Sequence, residues 1–492
     1  MNYLRRREHF CQKLGDQRAL QTLLGKYHAI SSSDSGLWTV IGSGAIGSKA
    51  DQLKIKTEIA EQAGFLANPR IVLTTAFFDN FREHKKFDKA ELKIIRQIAK
   101  LFAGTPLAVR SSAIGDARGT GIWKSGFCPN QKRHGDPIDL EDIIIEVIYS
   151  DFSKDADAFR KNNDIQGGMA IIIEPIVGNR ANRKEGKELY GPYYGGIGYT
   201  STAYNNGFIL FTSGMPNYAT RGLGFEIVNG SDVSLIDKCT NYRKFNMENA
   251  RASWGISNDR IDWSRGIWIR LESGSLFIGH TDQTHKLRTT VEGNELTAEW
   301  IFQRMKKLEE LTGGPQYIEW AICDGPGIVI IQIADTDIKN DVYEFTDSEK
   351  VMIRSNFVSG SGIVECDGIV FLENLGGTDA LEEYNETNQK YLLIYDGDLN
   401  IEDYVRYCHI SNAAAVVEIY TTVHTKHPKA HFGTALTESG AIFMVSNDAS
   451  LNMLKKPEEF SGNTTGTIKI WNQRVRVTAS EAKQRAIAER LE

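Results

Sequence analysis

Residues 37–55 read LWTVIGSGAIGSKADQLKI, a β-branched run, a glycine turn and a helix-forming stretch, in that order. Gly42, Gly44 and Gly47 spell GxGxxG between the strand and the helix, the setting of a dinucleotide fingerprint. That reading asks for an acidic residue at the end of the next strand, to hold ribose hydroxyls. The next strand, PRIVLTT, ends instead in Leu73, Thr74 and Thr75. A P-loop asks for adjacent Gly and Lys, and Ser48 separates Gly47 from Lys49. A plain tight turn fits the same glycines. Taken alone, the segment predicts a strand–turn–helix unit without choosing its ligand.

Outward from it the pattern stays mixed. Residues 1–34 read as a helical extension with a Ser-rich loop at Ser31–Ser33. FDKAELKIIRQIAKLF has helical apolar spacing, and PLAVRSSA is a strand. EDIIIEVIYSDFSKDADAFRKN reads as one long amphipathic helix, and GGMAIIIEPIV as a buried strand. Glycine-punctuated strands run from Tyr190 to Val228, and LTAEWIFQRMKKLEELTGG is a helix closed by a glycine. YIEWAICDGPGIVIIQIAD, residues 317–335, is a hairpin: two apolar runs around an Asp-Gly-Pro-Gly turn. Polar residues 336–348 make a linker, and a second one is expected around 375–390. A smaller α/β unit spans 341–478, and ASEAKQRAIAERLE, 479–492, reads as a charged terminal helix. The fold class is therefore α/β (α+β).

Composition limits the function. A chain of 492 residues exceeds one ordinary core, so two to four domains are expected. Its 41% hydrophobic and 24% charged residues are those of a soluble protein. A net charge of −6 makes no electrostatic case for nucleic acid. MNYLRRREHF is basic but no apolar run follows, so no secretory signal is expected. No stretch approaches the roughly 18 apolar residues of a membrane helix. The six cysteines lack CxxC spacing, which favours reduced thiols and a cytoplasmic setting.

The C-terminal third carries VHTKHPKAHFGTALTESGAIFMVSND, residues 423–448. His424, His427 and His431 have spacings that suit zinc on a helix. Lys426, Pro428 and Lys429 oppose that, because proline breaks the helix and lysine repels a cation. Solvated loop histidines are the plain alternative. Neutral imidazole is also a nucleophile near pH 7, so a histidine opening a helix suits group transfer.

Several segments together resemble the phosphoenolpyruvate synthase and pyruvate phosphate dikinase family. IGSGAIGSKADQL is similar to the glycine-lysine segment opening that family's ATP-grasp domain, and PLAVRSSAIGD to its AVRSSA segment. MAIIIEPIV resembles its hinge strand, YIEWAI and IVIIQIAD its closing hairpin, and HFGTALTESGAIFMVS its phosphohistidine segment. The resemblance covers roughly residues 37–475. It implies a two-lobed ATP-grasp domain at 35–340, with lobes near 35–210 and 211–340, followed by a smaller swivelling phosphohistidine domain at 341–478.

The resemblance further implies ATP and Mg²⁺ as ligands. Lys49 and Arg110 are expected on the phosphates, the backbone near Glu174 and Ile176 on the adenine, and Glu319 and Gln332 on metal and phosphate. His431 is the expected phosphate carrier, with Glu438 and Gly440 matching beside it. Four positions depart from the family pattern. Ala334 stands for an arginine, Tyr317 for an aspartate, Thr437 for an arginine, and residues 427–430 for a Thr-Ser-His approach. The family's pyruvate-binding (β/α)₈ barrel has no counterpart in residues 1–492, so pyruvate is not implied as acceptor. The expected partner is an unidentified small molecule or protein acceptor, with a separate barrel-domain subunit as one source. The rival expectation, built on Ala334 and the altered histidine approach, is a regulatory protein that binds ATP without turnover.

Overall fold

The computed structural model describes residues 3–16, 29–32, 36–116, 121–129, 139–181, 189–192, 194–202, 207–220, 225–228, 265–270, 276–280, 298–322, 327–336, 338, 343–345, 350–355, 357–372, 378–396, 406–419, 431–446, 468–483 and 485–491. The expected turn Asp324–Pro326, most of the 336–348 linker, and His424, His427 and their neighbours to Ala430 lie outside these.

Two six-stranded sheets build the first unit, beside a four-stranded one in the order Leu276–His280, Arg265–Arg270, Leu189–Gly191, Asn179–Ala181. The first runs Ala29–Ser32, Trp38–Ile41, Arg70–Leu73, Met169–Pro175, Leu107–Ala113, Ser125–Cys128 in spatial order. The second runs Phe225–Val228, Phe208–Ser213, Tyr194–Tyr199, Gln316–Ile322, Ile328–Asp335, Leu66–Ala67. The second sheet takes in Tyr194–Tyr199, which lies before residue 211, and borrows Leu66–Ala67 from the first half of the chain. A parallel pairing with Ile328–Asp335 draws that short strand across.

Alternation along the strands separates two faces of the first sheet. Leu107, Val109, Ile171 and Ile173 point into a core shared with the helices Lys89–Leu101, Leu140–Tyr149 and Lys154–Asn162. Val40, Val72, Ala170 and Ile172 point the other way, into a core continuous with Ile318, Trp320 and Ile330 of the second sheet. The helices Ser48–Gln62 and Ala298–Thr312 contribute Leu53, Ala60, Phe302 and Met305 to that same core. The two sheets thus share one apolar interior.

Four expectations change across the chain, two of them in this unit. The single helix over 141–162 is two, Leu140–Tyr149 and Lys154–Asn162, separated at Ser150–Phe152. Ser153 accepts from the Ala156 amide and starts the second helix as an N-cap. The extension 1–34 holds a helix, Tyr3–Gly15, and then a strand, Ala29–Ser32, which pairs with Trp38–Ile41. The helix is built into the body: Phe10 stacks on Phe102 with ring centroids 3.6 Å apart, and the Tyr3 hydroxyl donates to Asn68 at 2.9 Å.

The C-terminal unit has three layers. Gly368–Leu372, Tyr391–Asp396, Ala413–Ile419 and Ile442–Ser446 are neighbouring parallel strands of a six-stranded sheet. Leu381, Ile410 and Leu436 from the intervening crossovers cover one face. A four-stranded antiparallel sheet covers the other, burying Val475, Val477, Ala486 and Ala488. The third change falls here, where the expected terminal helix is replaced: Arg485–Arg490 is a strand flanked by Val351–Ser355 and Val475–Ser480. Pairing on both edges overrides the helix propensity of its Ala, Glu and Arg residues. Nor is 375–390 an interdomain linker, since the helix Thr378–Asn385 lies there as a crossover within the sheet.

This unit docks on the helix Lys154–Asn162. Asn162 Nδ2 donates to Ser411 O at 2.8 Å, Asn163 Nδ2 to Ser439 Oγ at 3.1 Å, and Cys408 N to Asp155 Oδ1 at 3.0 Å. Lys154 pairs with Glu382, and Tyr407 and Ala435 bury themselves in the helical-layer core. Among the described residues no helix is long and apolar enough to cross a membrane.

Candidate functional site

Glycine geometry sets the first wall. Gly47, with φ +76°, caps the helix Ser48–Gln62, so Lys49 lies in its first turn. Thr74 Oγ1 donates to Ser43 O at 2.7 Å, and Ala45 N donates to Thr75 Oγ1 at 3.1 Å. The two threonines that end the second strand therefore fasten the glycine loop. Lys49 Nζ sits 2.7 Å from Asp116 Oδ2, with the aspartate wholly buried.

The hairpin supplies the opposite wall through a register shift. Ile328 and Ile330 point into the shared core, and regular alternation would send Gln332 there too. Opposite Glu319 and Trp320 the ladder slips, leaving Ile331 as the extra residue. Ile333 then resumes the core face, and Gln332 stands directly across from Glu319. The Ile331 carbonyl accepts from Arg110 Nη1.

Arg110 is the hub. Its Nη2 donates to Glu319 Oε2 at 3.0 Å and to Gln332 Oε1 at 2.7 Å, while Nη1 lies 3.5 Å from Glu174 Oε1. Glu174 Oε2 is 2.8 Å from Nε of Arg70, which is fully buried beneath it. Glu319 Oε1 accepts from the Tyr317 hydroxyl at 3.1 Å. Burial, then the Glu319 charge, raises the Tyr317 phenol well above its ordinary value, so it stays a neutral donor.

One cleft collects these groups. Lys49, Arg110, Glu174, Ile176, Glu319 and Gln332 all line it, around about 810 Å³ of empty space that is partly open to solvent. Its apolar end is made by Ala108, Phe127, Ile176 and Met215, a wall suited to a planar ring. The amide of Ile176 donates to Pro106 O at 3.0 Å, so that backbone donor is engaged within the protein and Ile176 contributes side chain instead. Glu174, expected to act through backbone, adds a carboxylate to the charge network.

Among these described groups, Lys49, Arg70 and Arg110 face Asp116, Glu174 and Glu319, a balance of three charges each. Glu319 and Gln332 aim two hard oxygens at a single guanidinium nitrogen, an arrangement that would equally suit a divalent cation with oxygen preference. Among the described residues no group of three or more His, Cys, Asp or Glu side chains is placed to hold a metal. A cation at Glu319 and Gln332 would therefore take most of its ligands from outside the protein.

Sequence reasoning missed Arg70 and Asp116. Asp116 had a visible signal, closing the PLAVRSSAIGD segment six positions after Arg110. Arg70 had none, since an arginine opening a strand is ordinarily a surface residue.

His431 opens the helix His431–Glu438, which leads into the buried strand Ile442–Ser446. That helix belongs to the docked C-terminal unit, and its Ala435 packs in the helical layer. The cleft lies on the other face of the first sheet, lined by Ala108 and Arg110. The structure thus brings six of the seven expected site residues together and leaves His431 on a separate unit. No protein-family model matches the chain, and no curated protein matches it.

Proposed function

We propose that the chain is an ATP-dependent phosphotransferase that moves phosphate from the cleft to His431 and then to an acceptor. The observation that carries this reading is the convergence of Lys49, Arg110, Glu174, Ile176, Glu319 and Gln332, drawn from four separate segments, on one cleft. The adenine would lie against Ala108, Phe127 and Met215, with the triphosphate toward Lys49 and Arg110. Arg's planar fork and Lys's mobile ammonium are complementary phosphate ligands. Glu319 and Gln332 would hold Mg²⁺, which supplies charge neutralisation on the transferring phosphate.

The protein's own part is positioning. The imidazole of His431 attacks phosphorus, a P–N bond forms as a P–O bond breaks, and the nucleotide leaves with the electron pair. The three-layered C-terminal unit supports the assignment of a carrier domain. In the docked arrangement its histidine helix sits on the layer behind the cleft, so transfer requires that unit to detach and turn. The acceptor is a small molecule or protein side chain, and a dikinase-like outcome of AMP and phosphate follows the resemblance alone. Labelled ATP leaving acid-labile phosphate on the protein is the test.

A second reading rests on one position. Ala334, where the resemblance expects an arginine, is fully buried among Tyr199, Phe208 and Leu210. The cation that would otherwise assist transfer has been replaced by an apolar wall. That favours a nucleotide-binding regulatory protein, which would bind ATP in the same cleft and never label.

A further inference from the structure

The point where a divalent cation would sit is already taken by a cation. Arg110 Nη2 is within hydrogen-bond distance of both Glu319 Oε2 and Gln332 Oε1, and the second oxygen of Glu319 is held by Tyr317. Gln332 turns its carbonyl oxygen, the only end able to ligate a metal, toward that nitrogen. Arg110 is only 9% exposed, and its other terminal nitrogen is bound to the Ile331 carbonyl. In this arrangement Arg110 is spent on the protein and offers little to a phosphate.

We infer that Arg110 is the resident counter-cation of this seat, and that metal and polyphosphate enter by exchange with it. The inference rests on the nucleotide reading above and adds its regulation. A divalent cation takes the Glu319 and Gln332 oxygens and displaces the guanidinium, which then turns to the phosphate. Charge balance couples the two events. With three cations facing three carboxylates, a metal entering alone leaves two buried positive charges uncompensated. A polyphosphate entering alone meets Glu174 and Glu319 with Arg110 still engaged. Each ligand supplies the charge the other lacks, so binding is mutually reinforcing.

The exchange predicts a result opposite to that of a simple ligand set. Removing a phosphate-binding arginine should weaken ATP, yet here it should strengthen metal binding to the nucleotide-free protein. Mn²⁺ is titrated by electron paramagnetic resonance into wild type and Arg110→Gln, without nucleotide. Arg110→Gln is expected to bind Mn²⁺ at least tenfold more tightly, and equal or weaker binding overturns the exchange. Glu319→Gln is the second arm, should Arg110→Gln not fold. Freed from its carboxylate, Arg110 then binds ATP several-fold more tightly than wild type in the presence of a chelator, whereas a fall or no change again overturns the idea. If wild type binds no ATP with or without Mn²⁺, the nucleotide reading fails, while the Mn²⁺ titration of Arg110→Gln still decides the exchange.

Discussion

Gly47 lies so close to Ser112 that a Cβ built on the glycine would fall 1.7 Å from the Ser112 carbonyl oxygen. The contact joins the glycine loop to the strand that carries Arg110, and Ala50 N donates to Ser112 Oγ at 3.0 Å beside it. The glycines of the opening motif therefore serve close backbone approach. Lys49 and Arg110 reach the same cleft because Gly47 and Ser112, two residues from each, bring their segments together.

Gly47→Ala should accordingly cost more than backbone strain alone. Gly313 is the control, since it has the same φ of +76° and nothing within 4 Å of the point where a Cβ would stand. Gly313→Ala is expected to lose about 1 kcal/mol, the cost of a left-handed alanine. Gly47→Ala should lose at least ~2 kcal/mol more, because Ser112 must move. Urea unfolding of both variants measures the difference, and equal losses would mean the loop is not pinned as described.

Lys49 carries two separable roles. Lys49→Met removes a charge-assisted phosphate contact worth roughly 1.5–3 kcal/mol, about ten- to a hundredfold in ATP affinity. It also leaves the buried Asp116 carboxylate without its ammonium, a destabilisation of around 3 kcal/mol. Adding Asp116→Asn should restore most of the stability and none of the ATP affinity. Calorimetry with denaturant unfolding reads both, and recovered ATP binding in the double variant would take Lys49 off the phosphates.

The strands and the hairpin of this site are legible in the sequence alone, but it is the resemblance that groups Lys49, Arg110, Glu319 and Gln332, since Arg110 by itself reads as a surface salt-bridge partner and Glu319 and Gln332 as an exposed pair on a hairpin. The bulge at Ile331 is not legible: the run IVIIQIAD does not say where alternation breaks, and one residue decides whether Gln332 faces core or cleft. The terminal strand Arg485–Arg490 reads as helix for the converse reason. Its local propensity is helical, and only pairing with segments such as Val351–Ser355, more than a hundred residues upstream, makes it a strand. The Glu174–Arg70 pair is hidden because long-range ion pairs leave no spacing in sequence.

The dock between the units should respond to pH. His409 Nε2 lies 3.4 Å from Glu382 Oε2, with Asp155, Arg406 and Lys154 also acting on it. Burial lowers the His409 pKa from its ordinary 6.5, and Glu382 and Asp155 only partly oppose this. A state in which His409 is opened to solvent therefore binds the proton more readily, so the packing around His409 is fully stable above about pH 6.5 and weakens as pH falls below it. Small-angle scattering or hydrogen exchange of the Lys154–Asn162 helix across pH 5–8 should show this loosening. His409→Gln should flatten the profile, and an unchanged profile would assign the response to other groups.

The sharpest test separates the enzyme from the regulator. If His431 is the carrier, labelled ATP leaves phosphate that acid releases and alkali spares, the reverse of phosphoserine and phosphothreonine. Both β- and γ-labelled ATP are needed, because a dikinase-like route delivers the β-phosphate. His431→Ala should abolish the label while ATP affinity stays within about twofold, since the cleft and the histidine helix lie on opposite faces of the first sheet. His427→Ala is the control for a carrier elsewhere in the same segment, and should label normally. The outcome also depends on the dock. Disrupting the contacts of Asn162 and Asn163 with Ser411 and Ser439, by Asn162→Ala and Asn163→Ala, should free the carrier unit and raise the labelling rate without changing its residue. Ala334→Arg is a poor rescue here, because the added side chain would have to enter the apolar cluster of Tyr199, Phe208 and Leu210 and would destabilise the fold. Wild type that never labels with either nucleotide, with Mg²⁺ present and the dock weakened, leaves nucleotide binding as the whole function of the cleft.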